Sequence, residues 1–333
     1  MTARSGLLVF LVWICPAFIL GADPEPHVVR VWFPRFSADS KWLATAHGSW
    51  DQKDTGEVRL WNAATGELKH TLKQPRGIRS VAFSPKSTLL AAGGYGNVIL
   101  IIDPESGKIL KKWSTPTSVQ VVLFHPDEQR VISGHGNGSI HIWNVVSAKE
   151  VMAIPASRRG EIWGMALSSD GKLLATAGQG GYVRIIDVAE GRILHELKHP
   201  RDTNGVAFTS DGKQLATGCG DSLIRLFDVD KGTELLELHG HQGGGVTDLQ
   251  FGPKDQVLLS SGIDRTVRVW DFSDPKSPVV KQTLRGHDQF VFGVAMSPNG
   301  KLLASASWDD RIKVWDFETL KEKWSWDRDE EKK

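Results

Sequence analysis

Cysteine is almost absent: the 333 residues hold two, Cys15 and Cys219. Cys15 lies in an apolar N-terminal stretch, and once that stretch is removed Cys219 has no partner. An intramolecular disulfide is then excluded, so packing and hydrogen bonds must hold the fold. Cys219 falls in a predicted strand, where a small buried apolar role is expected rather than a nucleophile. A surplus of charge of one sign is missing too. Lys plus Arg total 40 and Asp plus Glu 39, a formal net charge of +1. That gives no general attraction to nucleic acid or to an anionic membrane. No paired-cysteine spacing for zinc occurs, nor a Gly-rich phosphate loop, nor a Gly-x-Ser-x-Gly elbow. No cofactor is therefore expected.

What is plentiful is turn chemistry, with 34 glycines alongside 13 tryptophans. Many glycines imply many tight turns, which suits short strands joined by hairpins. Residues 1–22 stand apart. Arg4 is their one charge, Gly6 to Leu20 is uncharged, and Gly21 and Ala22 are small. This is the layout of an export signal, with cleavage expected near Ala22 and retention as an anchor the alternative. The apolar run is shorter than the roughly 20 residues that span a bilayer, and Pro16 interrupts it. The expected location is periplasmic or extracellular, with no membrane span in the mature chain.

The rest of the chain repeats. Seven segments resemble each other: EVRLWN (57–62), VILIID (98–103), SIHIWN (139–144), YVRIID (182–187), LIRLFD (223–228), TVRVWD (266–271) and RIKVWD (311–316). The bulky residue before Asp or Asn is Trp61, Ile102, Trp143, Ile186, Phe227, Trp270 and Trp315, at intervals of 41, 41, 43, 41, 43 and 45. A period of 40–45 residues with this ending signals a β-propeller. Within each repeat four short strands alternate with polar turns, such as SSDGK (168–172) and ATGE (64–67). The expectation is an all-β, seven-bladed propeller over residues 23–326, each blade a four-stranded antiparallel sheet. Residues 327–333 are read as a charged tail.

The pattern resembles the WD-repeat (WD40) family, and the predicted leader resembles exported bacterial members. The resemblance implies a hydrogen-bond network of His, Ser or Thr, Asp and Trp in each blade. Repeat six matches it with His241, Ser260, Asp264 and Trp270, and repeat seven with His287, Ser305, Asp309 and Trp315. Repeat five has His199, Thr217 and Asp221, but Phe227 replaces the indole. Repeat three keeps Ser133 and Trp143 with Asn137 in place of Asp, repeat four keeps Thr176, and repeat two has Ala92. Blades five to seven are therefore expected to be the better tied. His135, in the run SGHGNGS (133–139), reads as a turn residue.

Repeat one opens at its own inner strand, near Arg30 to Ser37, and KEKWSW (321–326) offers an outer strand for repeat seven. The last blade is thus expected to be completed by its own repeat, so that the termini meet edge to edge. The family resemblance implies partner binding on the face made by the loops entering the inner strands and the turns between second and third strands. Candidates there are Arg30, Trp32, Trp50, Arg79, Tyr95, Glu161, Trp163, Asp202, Asn204, Phe290, Phe292 and Trp308. Trp, Tyr and Arg dominate interface hot spots, so an exposed aromatic rim is expected. The leading reading is a non-catalytic scaffold for protein partners at the cell envelope, probing no nucleic acid, as a monomeric domain. Its alternatives are a propeller enzyme, a hydrolase or lyase recruiting Asp202, Glu161 and His47, and a binder of glycan or another small ligand at the channel mouth.

Overall fold

A computed structural model describes residues 30–49, 56–155 and 160–328. The protein is a seven-bladed β-propeller. Seven four-stranded sheets follow one another, each built from four consecutive antiparallel strands. Blade one comprises Arg30–Phe36, Trp42–Gly48, Gly56–Asn62 and Leu68–Gln74, and blade seven Val291–Met296, Leu302–Ser307, Arg311–Asp316 and Glu322–Asp327. The last blade is complete in itself, and its outer strand takes in Asp327, which the sequence reading had placed in the tail. Residues 1–22, Trp50 and residues 329–333 lie outside the described residues.

An irregularity recurs where the third strand pairs with the outer one. The register shifts at Leu60/Trp61, Ile101/Ile102, Ile142/Trp143 and Ile185/Ile186. It shifts again at Leu226/Phe227, Val269/Trp270 and Val314/Trp315. A bulge bends its strand and re-aims a side chain. Here it falls at the bulky residue that marks every repeat, and that residue is buried in all seven blades. The small residues of the second strands, such as Ala91 and Ala92 or Ala304 and Ala306, let neighbouring blades approach.

The seam between blades seven and one has no shared strand, and tryptophans seal it instead. Trp324 and Trp326, on the last strand, lie 6.1 and 5.4 Å from the Trp61 ring of blade one. Arg59 sits over Trp326 at 4.3 Å, and Arg328 reaches Glu57 at 3.3 Å. On the inner side of the same seam, Trp32 meets Phe292 and Trp308 edge-on, at 5.5 and 5.9 Å.

We call the side with the connections into the inner strands the loop face. On the opposite face the turns after the inner strands bond from blade to blade. Ala38 N–H donates to Ser87 Oγ, Lys86 N–H to Glu128 Oε1, Ser210 N–H to Asp255 Oδ2, and Asn299 N–H to Ser40 Oγ. These bonds fix the rim around the central channel.

Candidate functional site

The blade networks come first, because they decide which polar residues remain for function. In blade six Trp270 donates to Ser260 at 2.9 Å, Ser260 lies 2.8 Å from His241 Nε2, and His241 Nδ1 lies 3.0 Å from Asp264. Blade seven repeats this with Trp315, Ser305, His287 and Asp309 at 3.3, 2.8 and 2.9 Å. The tautomer that satisfies each chain is the one protonated at Nδ1, which then donates to the carboxylate. Burial alone would raise the Asp264 and Asp309 carboxyls. The hydrogen bond and charge of His241 and of His287 outweigh it and hold both below the usual carboxylate range.

Blade five departs from expectation. His199 Nε2 bonds Thr217 at 2.8 Å, but its Nδ1 turns to the Leu197 carbonyl at 3.2 Å. Asp221 is drawn away to Arg225, 2.8 Å from its Nη2. Blades one and three depart the other way, because both carry a network that the sequence reading missed. His47 Nε2 lies 2.8 Å from Thr45, which accepts the Trp61 indole N–H at 3.0 Å. His135 Nε2 lies 2.8 Å from Ser133, which accepts from Trp143 at 2.8 Å. His135 is therefore a buried strand residue and not a turn residue. The expectation that blades five to seven are the better tied is corrected: blades one and three are also tied, by a histidine from their own second strand. Burial, with the neighbouring His141 second, holds His135 down to about 4, and burial likewise brings His199 to about 4. His47 is held well below its ordinary value by burial and then by Arg59.

The three residues offered for an enzyme do not converge. His47 is buried inside blade one. Glu161 accepts the Trp163 indole N–H at 2.9 Å, and Asp202 accepts the Gly180 N–H at 2.8 Å. His195 and His199 have the His-x-x-x-His spacing of some zinc sites, which corrects the expectation that no such spacing occurs. They sit on and just after an outer strand, where His195 bonds the Asp230 carbonyl and His199 bonds Thr217. Among the described residues no group of three or more His, Cys, Asp or Glu could hold a metal ion.

The loop face is less aromatic on its surface than expected. Trp32 and Trp308 are buried, at 4% and 8% exposure. The seam needs them: Phe292 stacks on Trp308 at 4.4 Å, and Trp32 donates to the Gly48 carbonyl at 3.0 Å. Arg79 is buried as well. It leaves blade two, donates to the Gln120 carbonyl of blade three at 2.6 Å, and lies 5.4 and 5.6 Å from the rings of Trp32 and Phe33. Burial lowers its pKa from the ordinary value, while Tyr95 and Glu161 act the other way. Arg79 is thus a bolt across the channel and not a rim residue. Arg30, Tyr95, Glu161, Trp163, Asp202, Asn204, Phe290 and Phe292 remain half-exposed. Arg30 holds its place by donating to the Trp308 carbonyl at 2.6 Å.

Below Arg79 the channel widens into a cavity of about 530 Å³, reaching from Trp163 and Asn204 to the turns at Ser210, Lys254 and Pro298. This concavity therefore runs toward the face opposite the predicted one. Within it Arg35 pairs with Asp248 at 3.2 Å. Burial raises the Asp248 carboxyl, with Arg35 and the Val294 and Leu249 N–H groups opposing.

A family model described as the IFT122 first beta-propeller matches residues 30–274. The chain belongs to this propeller family. A second model, the WD domain, G-beta repeat, matches residues 278–316, so the family pattern runs from the first described strand into blade seven. Among similar proteins is the Periodic tryptophan protein 2 homolog of Schizosaccharomyces pombe, 27% identical over 191 residues, which is 51% of this chain and 22% of that protein. The eukaryotic translation initiation factor 3 subunit I of Drosophila willistoni is 25% identical over 275 residues, 74% of this chain and 83% of that one. The WD repeat-containing protein WDS homolog of Arabidopsis thaliana is 26% identical over 286 residues, 82% and 52% of the two chains. The chain thus spans about a fifth of the first of these propeller-family relatives and half of the third. These relatives correct one expectation. They are eukaryotic, and one is by name a translation initiation factor subunit, which points to a place inside the cell. The export reading, with its bacterial-type cell-envelope location, is withdrawn.

Proposed function

We propose that this propeller is a non-catalytic, monomeric platform that holds protein partners on its loop face. One observation carries the reading. Trp163, Phe290 and Phe292 stand half-exposed around the channel mouth on strand ends and their entry loops, which the seven sheets hold rigid. Rigid aromatic anchors with polar neighbours form interface hot spots at low entropic cost. Asn204 supports it further, since its side-chain amide makes no hydrogen bond among the described residues and lies at the channel. The relative named as a translation initiation factor subunit is consistent with a part in an assembly. The test is affinity capture with wild type and with a Trp163→Ala/Phe290→Ala variant of unchanged melting temperature. A partner retained by wild type and lost by the variant supports the loop face. Equal capture by both refutes it.

A second reading rests on the cavity beneath Arg79. About 530 Å³ is enough for a small ligand, and Arg35 would be its polar anchor. A small-molecule screen by thermal shift, repeated on Arg35→Met, tests this: a stabilising compound whose effect vanishes in the variant would favour it over the loop face.

A further inference from the structure

The outer strands are the free edges of the propeller, and blade two differs from the rest. Its outer strand, Lys108–Ser114, reads KILKKWS. Of the seven outer strands it alone carries three lysines and no acidic residue. Among the described residues no ion pair joins Lys108, Lys111 or Lys112 to a carboxylate. The nearby Glu105 is already paired with Lys41. Lysines on an edge would by themselves be a guard against unwanted strand pairing. Two large aliphatic side chains stand beside the lysines: Ile109 is 42% and Leu110 53% exposed, as aliphatic residues also are on the outer strands of blades three to six, and here alone three lysines flank them. Lys111 bonds the carbonyl of Val146 in the next blade, and Val146 is itself 72% exposed. The patch therefore continues across two blades. Apolar groups rimmed by charge of one sign mark an interaction surface.

We infer that the outer edge of blade two binds an acidic, extended polypeptide segment, which pairs with residues 108–112 as a fifth strand. Its aliphatic side chains pack against the exposed Ile109 and Leu110, and its carboxylates neutralise the three lysines. Main-chain bonds supply affinity and side chains specificity, as in other strand additions. The site is on the flank of the ring and is independent of the loop-face reading.

The test uses the full chain and fluorescence anisotropy of a short labelled peptide that alternates glutamate and valine. Saturable binding is expected, with none to the lysine–valine counterpart. The Lys108→Glu/Lys111→Glu/Lys112→Glu variant and the Ile109→Ser/Leu110→Ser variant should each weaken it at least roughly tenfold. N-methylation of the peptide backbone should abolish it, while Trp163→Ala/Phe290→Ala should leave it unchanged. If the glutamate triple variant melts early, the triple glutamine variant takes its place. The inference is overturned by no saturable binding, by equal binding to both edge variants, or by tolerance of N-methylation. It is also overturned if single-stranded oligothymidylate binds as tightly through the same lysines, which would make the patch a general polyanion site.

Discussion

The indole N–H of Trp324 donates to the carbonyl of Ala63 at 3.1 Å, so the last strand of the ring is hydrogen-bonded to the first blade. Trp326, two residues on, lies 5.5 Å from His47 and 5.4 Å from Trp61. This pair of indoles takes the place of a strand shared between blades. Trp326→Ala should cost about 2–3 kcal/mol, because it removes a half-buried indole from a packed seam. Equilibrium urea unfolding measures it, and a loss no larger than that of an exposed Leu110→Ala control would contradict the role.

The hydroxyl at the centre of each network accepts from Trp and faces His, so its removal strands two polar groups. Ser305→Ala and Ser260→Ala should each destabilise by roughly 1–3 kcal/mol. Ser133→Ala should cost as much, since His135 and Trp143 meet there in the same way. Asp221→Asn should cost less than either, because His199 does not depend on that carboxylate. Matched chemical denaturation curves for the four variants decide the order.

Acid should weaken the fold well before the carboxylates titrate. His135 and His199 are held down to about 4, and His47 is also depressed, whereas in the unfolded chain each titrates near the usual value of about 6.5. Between those values the unfolded state binds protons that the folded state refuses. Stability is thus full above pH 6.5 and falls as pH drops, by up to about 1.4 kcal/mol per pH unit for each histidine. Asp264 and Asp309 have depressed folded values, so their contribution is lost only at lower pH. Urea midpoints between about pH 7 and about pH 5 should fall steeply in wild type and less steeply in His135→Gln/His199→Gln. A flat wild-type profile would refute the argument.

In the channel, Asp248→Ala should destabilise by about 2 kcal/mol, because it leaves Arg35 beside apolar walls with its charge unmatched. Arg35→Leu/Asp248→Ala should recover part of that loss. A double variant no better than the single one would show that Arg35 is adequately solvated by the open cavity.

The ring and its blade count were legible because one strand ending recurs at near-constant intervals, from Trp61 to Trp315. The missed networks were legible too, under a different rule. Side chains two apart on a strand share a face, so Thr45 with His47 and Ser133 with His135 announce the same contact that the other blades make across a loop. In these two blades the histidine stands on the second strand and not before the inner strand, where the family pattern puts it. The burial of Trp32 and Trp308 could not be read, since it depends on a seam between residues about 260–276 positions apart. The diversion of Asp221 is local instead: Arg225, four residues on, takes its carboxylate at 2.8 Å, and also reaches Glu237 at 2.8 Å.

Because every sheet is made of four consecutive strands, the boundaries of the repeats in sequence are also the boundaries of the blades in space. No blade waits for a distant part of the chain, so each hairpin set can form in order along the chain. The tryptophan seam joins remote segments, as do Arg35 with Asp248 and Asn299 with Ser40, which makes ring closure the natural final step of folding. The same arrangement means that the circle has no privileged starting point. A version of the chain opened between any two blades, with its old ends joined beside Trp324, would draw the same ring.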